Sequence, residues 1–117
     1  MKGDKSMSSL TKSFDFYTIF YYARKSTDTT AYIANIACYK ASASVGTILF
    51  HPDGSTLPAN TINADGTIGL HYEMKRFNDI ITILRYEKPL QIWVDTGSGA
   101  GCILTDGSEP VGEQEGV

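Results

Sequence analysis

The sequence predicts an α+β domain: a strongly bent antiparallel β-sheet, or a partly open small barrel of about six strands, with one α-helix near residues 75–87. Two observations predict it. Met74, Phe77, Ile80, Ile81 and Leu84 recur at three- and four-residue steps, which is one stripe of a helix. Lys75, Asn78, Asp79, Thr82 and Tyr86 fall on the other side and can face water. Almost everything else is short, strand-like segments punctuated by turn residues. Those segments supply a sheet for the stripe to pack on.

In chain order, residues 1–11 are polar and read as a disordered tail ahead of a single domain over 12–108. Ser13 to Arg24 is rich in aromatic and β-branched residues and reads as one long strand. Phe14, Phe16, Phe20 and Tyr22 share one of its faces; Asp15, Tyr17, Ile19 and Tyr21 share the other. Ser26 to Thr29 is a turn cluster, and Ala31 to Lys40 is the second strand. A hairpin centred on that turn sets Phe16 opposite Tyr39 and Tyr22 opposite Ile33. It also sets Asp15 opposite Lys40 as a charge pair, which favours this register.

Ser44 to His51 is a third strand, with Gly46 a bulge or close-packing point. Pro52-Asp53-Gly54 and Asp65-Gly66 are turns that bracket a loop with a short strand around Ile62. Thr67 to Glu73 is a strand leading into the helix. Pro89 ends the helix and excludes Lys88 from helical geometry. Leu90 to Asp95 and Cys102 to Thr105 then form a hairpin across a glycine-rich loop. Residues 109–117 make an acidic tail.

Composition narrows the function classes. The 117 residues suit one domain, and a formal net charge of −3 argues against a general nucleic-acid binder. From Asp95 onward there are five acids (Asp95, Asp106, Glu109, Glu113, Glu115) and no Lys or Arg, so the acidity belongs to the C-terminal end. No apolar run approaches the ~20 residues of a membrane span, and the N-terminus lacks the apolar core of a secretory signal. Cys38 and Cys102, the only cysteines, sit in strand-like apolar surroundings. Buried reduced thiols in a cytoplasmic protein are the expectation.

Chemistry-bearing residues are sparse. His71 and Glu73 lie two apart on one strand face, where a base and its orienting carboxylate could sit, and Asp95 could join them at a barrel mouth. That would be a small cofactor-free enzyme. No C-x-x-C or H-E-x-x-H spacing exists, so no metal ligand set is expected. The GSGAG run around Ser98 joins strand to strand, whereas a phosphate cradle must open a helix. No organic cofactor is expected either.

Leu84-Arg85-Tyr86-Glu87-Lys88-Pro89 and Glu109-Pro110-Val111-Gly112-Glu113 resemble patterns in small uncharacterised bacterial proteins, of the kind found on mobile elements such as integron gene cassettes. The resemblance covers the last third of the chain. It implies a freestanding bacterial protein and brings no catalytic residues with it.

The leading expectation is therefore a non-enzymatic module that self-associates or binds a small molecule or protein. Both faces of the first strand are apolar, and a single-layer sheet in so small a domain covers only one. The Phe face is expected to line the core beneath the helix. The opposite face, with Tyr17, Ile19, Tyr21, Tyr32, Ala34, Ile36 and Cys38, is expected to join two copies into a dimer.

Overall fold

A computed structural model describes residues 8–23, 32–108 and Val111. It is an α+β fold of two open sheets, β1-β7-β8 and β2-β3-β4-β6-β5, with one α-helix among the described residues. The sheets do not close into a barrel. Residues 1–7 of the tail expected over 1–11, the turn at 26–29 and all of the acidic tail except exposed Val111 lie outside the described residues.

The first strand is broken. β1 (Ser9–Phe14) and β2 (Phe16–Tyr21) separate at Asp15 and belong to different sheets. β1 runs antiparallel to β7, from Ser9 opposite Asp95 to Phe14 opposite Leu90. Ser9, Leu10 and Thr11, expected in a disordered tail, are thus held in a ladder. β2 pairs with β3 (Ala34–Lys40) in the register that the Asp15–Lys40 pairing predicted. Phe16 faces Tyr39, the Tyr22 amide donates to the Ile33 carbonyl at 3.1 Å, and Lys40 Nζ lies 3.7 Å from the Asp15 carboxylate.

β4 (Ala43–His51) follows a two-residue turn, Ala41-Ser42, with positive φ at both positions. A register shift where Cys38 meets Gly46 and Tyr39 meets Ser44 leaves Val45 as the extra residue of a bulge. β5 is only Thr61–Ile62. β6 (Ile68–Glu73) pairs with β4 in parallel, with Gly46 opposite Ile68 and His51 opposite Glu73. An all-antiparallel sheet was expected. The crossover through residues 52–67 carries the chain back to the start of β4, which makes this sheet mixed.

A 3₁₀ turn at Met74–Arg76 leads into α1 (Phe77–Tyr86). The Asp53 carboxylate accepts the Lys75 amide at 2.7 Å, so the crossover loop satisfies one of the turn's free donors. Ile80 and Leu84 are buried, Met74, Phe77 and Ile81 pack beside them, and Lys75, Asn78, Asp79, Thr82 and Tyr86 are exposed. Glu87 is already extended, two residues before Pro89. β7 (Leu90–Asp95) and β8 (Ala100–Thr105) close the smaller sheet.

The core lies between the sheets and under α1. Phe14, Leu90, Ile92 and Val94 meet Ala34, Ile36, Ile48, Phe50, Ile68 and Leu70. Gly46 marks a close approach of the two layers: a Cβ there would lie 2.5 Å from Ile92 Cδ1, and 2.6 Å from the Ile68 carbonyl of its own sheet. Phe77 sets its ring edge-to-face on Phe50, centroids 5.0 Å apart, and so docks the helix on the larger sheet. No helix among the described residues is long and apolar enough to cross a membrane.

Candidate functional site

Phe16 to Tyr21 reads FYTIFY, all aromatic or β-branched, with no charge and no proline. Such a segment forms a strand readily. Among the described residues it lies at the outer edge of the five-stranded sheet, bonded to β3 on one side only. Its side chains stay open on both faces: Phe16 is 67% exposed, Tyr21 62%, Phe20 42% and Ile19 41%. Among the described residues these are four of the seven exposed large hydrophobic side chains, and all four lie on β2.

The assignment of faces is reversed from the expectation. The β2–β3 register sets Tyr17, Ile19 and Tyr21 beside Cys38, Ile36 and Ala34, and the latter three are fully buried in the chain's own core. Ile36 therefore is not an interface residue. The Phe face looks outward, with Phe20 stacked on Tyr22 at 6.4 Å. The cause is the break at Asp15. Phe14 turns into the core with β1, whereas Phe16 begins a new strand in the other sheet. Strand alternation does not carry across such a bend.

Of the expected interface, Tyr17, Ile19 and Tyr21 remain at the surface edge. Tyr17 is half-buried, and Tyr21 meets Phe77 edge-to-face at 5.2 Å. Tyr32 is half-buried against Tyr22, with centroids 6.1 Å apart, and Tyr22 donates its hydroxyl to Asn35 Oδ1. The other sheet edges are protected. β5 is two residues long, β1 carries Lys12, and β8 exposes no large apolar side chain.

The candidate catalytic residues are only partly assembled. His71 and Glu73 share a face of β6, but Asp95 lies in the smaller sheet. Its carboxylate serves its own turn, accepting from the Gly97 amide and the Ser98 hydroxyl. The neighbour that the structure gives His71 is His51, whose Nε2 lies 2.8 Å from His71 Nδ1. Burial, and secondly the charge of His51, hold the His71 pKa below its ordinary value. No local pattern signals this pair, because it depends on the parallel alignment of β4 with β6. Asn60 Oδ1 accepts the His71 amide while its Nδ2 donates to the Gly99 carbonyl. That bond ties the crossover to the β7–β8 turn.

No group of three metal-ligating side chains stands together among the described residues. Both cysteines are free thiols, and burial pushes that of Cys38 up to about 12, far from a reactive thiolate. A cleft of about 780 Å³ opens where the Asp15 break meets the end of α1. Phe14, Tyr17, Leu84 and Leu90 line it, with Lys40 and Arg85 among the charges at its margin. No family model, curated protein or solved structure matches the chain.

Proposed function

We propose that the protein is a non-enzymatic module that works as a homodimer joined through its first hairpin. The observation that supports this is β2, an edge strand with apolar side chains open on both faces and no charge, proline or bulge to discourage pairing. Sheet edges of this kind are usually covered in the working molecule. The free thiols Cys38 and Cys102 suit a reducing compartment, so we place its action in the cytoplasm. Light scattering coupled to size exclusion tests the dimer. Wild type at tens of micromolar should give about twice the monomer mass, and Ile19→Lys should give the monomer mass with an unchanged circular dichroism spectrum. A monomeric wild type overturns the reading.

A second reading is favoured by the cleft at the Asp15 break, whose volume falls in the usual range for a small-molecule site. Its apolar walls and mixed charges suit a small amphipathic compound. Screening by ligand-observed NMR, with Leu84→Ala and Tyr17→Ala as controls, tests this reading. Hits insensitive to both substitutions would remove it.

A further inference from the structure

We infer that two copies join edge to edge along β2, antiparallel, with Ile19 of each copy on the two-fold axis, so that their larger sheets become one continuous sheet. This rests on the dimer reading and specifies its geometry.

The phase of the backbone hydrogen bonds carries the first step. In an antiparallel ladder, a residue that turns its N–H and C=O toward one neighbour alternates with one that turns them away. The Tyr22 amide donates to the Ile33 carbonyl, and the register of β2 on β3 continues that alignment back to Phe16 opposite Tyr39. Tyr22, Phe20 and Thr18 thus spend their backbone groups on β3. The N–H and C=O of Tyr17, Ile19 and Tyr21 point to the free edge. An unpaired row of this kind is a template for another strand.

The second step is the choice of occupant. A two-fold axis perpendicular to the sheet keeps each side-chain face on its own side. It therefore pairs odd positions with odd and even with even. Centring it on Ile19 sets Tyr17 of one copy opposite Tyr21 of the other, and Ile19 opposite Ile19. Every outward N–H and C=O of Tyr17, Ile19 and Tyr21 then finds a partner. On the opposite face, Thr18 falls beside Phe20 of the second copy and Phe16 beside Tyr22. No charged side chain lies within the paired stretch. β2 is complementary to itself.

Moving the axis to Thr18 preserves the faces but sets Tyr21 against Asp15 of the second copy. There the chain already leaves for the other sheet, and its amide is committed to the Tyr39 carbonyl at 2.9 Å. Moving the axis to Phe20 runs Tyr17 past the end of the partner's β2, which finishes at Tyr21. Only the axis at Ile19 pairs all three outward-facing residues, Tyr17, Ile19 and Tyr21, with one another.

Amide exchange followed by NMR on the wild-type dimer separates this arrangement from face-to-face packing. Edge pairing should protect the amides of Tyr17, Ile19 and Tyr21 as well as those of Thr18 and Phe20. Rapid exchange confined to the three odd positions, in a protein that is dimeric by light scattering, overturns edge pairing and leaves the dimer standing. The axis is tested by single substitutions Thr18→Cys, Ile19→Cys and Phe20→Cys in a Cys102→Ser background, oxidised in a glutathione buffer. Facing Cα atoms in an antiparallel pair are about 5.5 Å apart or closer, within disulfide reach. Ile19→Cys should give a covalent dimer and the other two should not. A covalent dimer from Thr18→Cys or Phe20→Cys instead overturns the Ile19 axis. A monomeric wild type overturns both this arrangement and the dimer it rests on.

Discussion

His51 Nε2 and His71 Nδ1 lie 2.8 Å apart, on strands that run side by side in parallel. With both rings neutral, one nitrogen donates and the other accepts. Burial and the neighbouring ring lower the His71 pKa from its ordinary value of 6.5. Folded, His71 therefore takes up a proton less readily than it does unfolded. Its neutral pairing is fully effective above that value and becomes a liability as pH falls from there through the folded pKa. The midpoint of urea denaturation should be lower at about pH 5 than at about pH 7.5. His71→Gln should flatten that dependence. Equal slopes for the two proteins would remove the histidine from the account.

The helix stripe predicts a contrast within one turn of α1. Leu84 is buried against the core, whereas exposed Thr82 donates its hydroxyl to the Asn78 carbonyl. Leu84→Ala should cost about 2–5 kcal/mol of stability, as truncation of a buried leucine does. Thr82→Ala should stay within about 0.5 kcal/mol. Chemical denaturation of both variants measures the difference.

A second contrast tests the contact between the sheets. A methyl group at Gly46 would collide with both Ile92 Cδ1 and the Ile68 carbonyl, and the carbonyl belongs to a paired strand that cannot retreat freely. Gly46→Ala should lose about 1–3 kcal/mol through overpacking. At Gly97 the added carbon meets only the Asp95 carboxylate, at 3.4 Å. Gly97→Ala should therefore melt close to wild type by calorimetry.

The thiols should react at very different rates. Cys38 is fully buried and its ionisation is suppressed, while Cys102 is partly exposed with a pKa raised by a milder burial. An aromatic disulfide reagent should label Cys102 in the native protein and leave Cys38 until denaturant is added. Labelling of Cys38 at the native rate of Cys102 would place it outside the core.

The helix, its solvent face, the turns at Gly54 and Gly66 and the register of the first hairpin were legible because each depends on near neighbours in sequence. Period, turn chemistry and one charge pair suffice for them. The division of the first strand was not legible. Phe14, Phe16, Phe20 and Tyr22 keep a strict alternation through Asp15, so nothing local marks where one sheet ends and the other begins. The division is imposed by β7, which captures Ser9 to Phe14 from the far end of the chain. The parallel pairing of β4 with β6 was hidden likewise, because a strand's pattern reports its faces and not the direction of its neighbour. The histidine pair was lost with it. The apolar character of this stretch was visible, but its core-facing side was misjudged, and its place at a sheet edge depends on strand order that no local pattern carries.

Because β1 pairs with β7, Ser9 to Phe14 cannot reach its place in the smaller sheet before residues 90–95 have been made. The turn-linked β3–β4 pair and the β4–β6 crossover are complete once Glu73 has been made, but Ser9 to Phe14 must wait until residues 90–95 follow. During that interval the Asp15 bend tethers an unplaced segment to the sheet edge at β2. A chain interrupted before Leu90 would therefore hold the larger sheet with no β7 to receive Ser9 to Phe14.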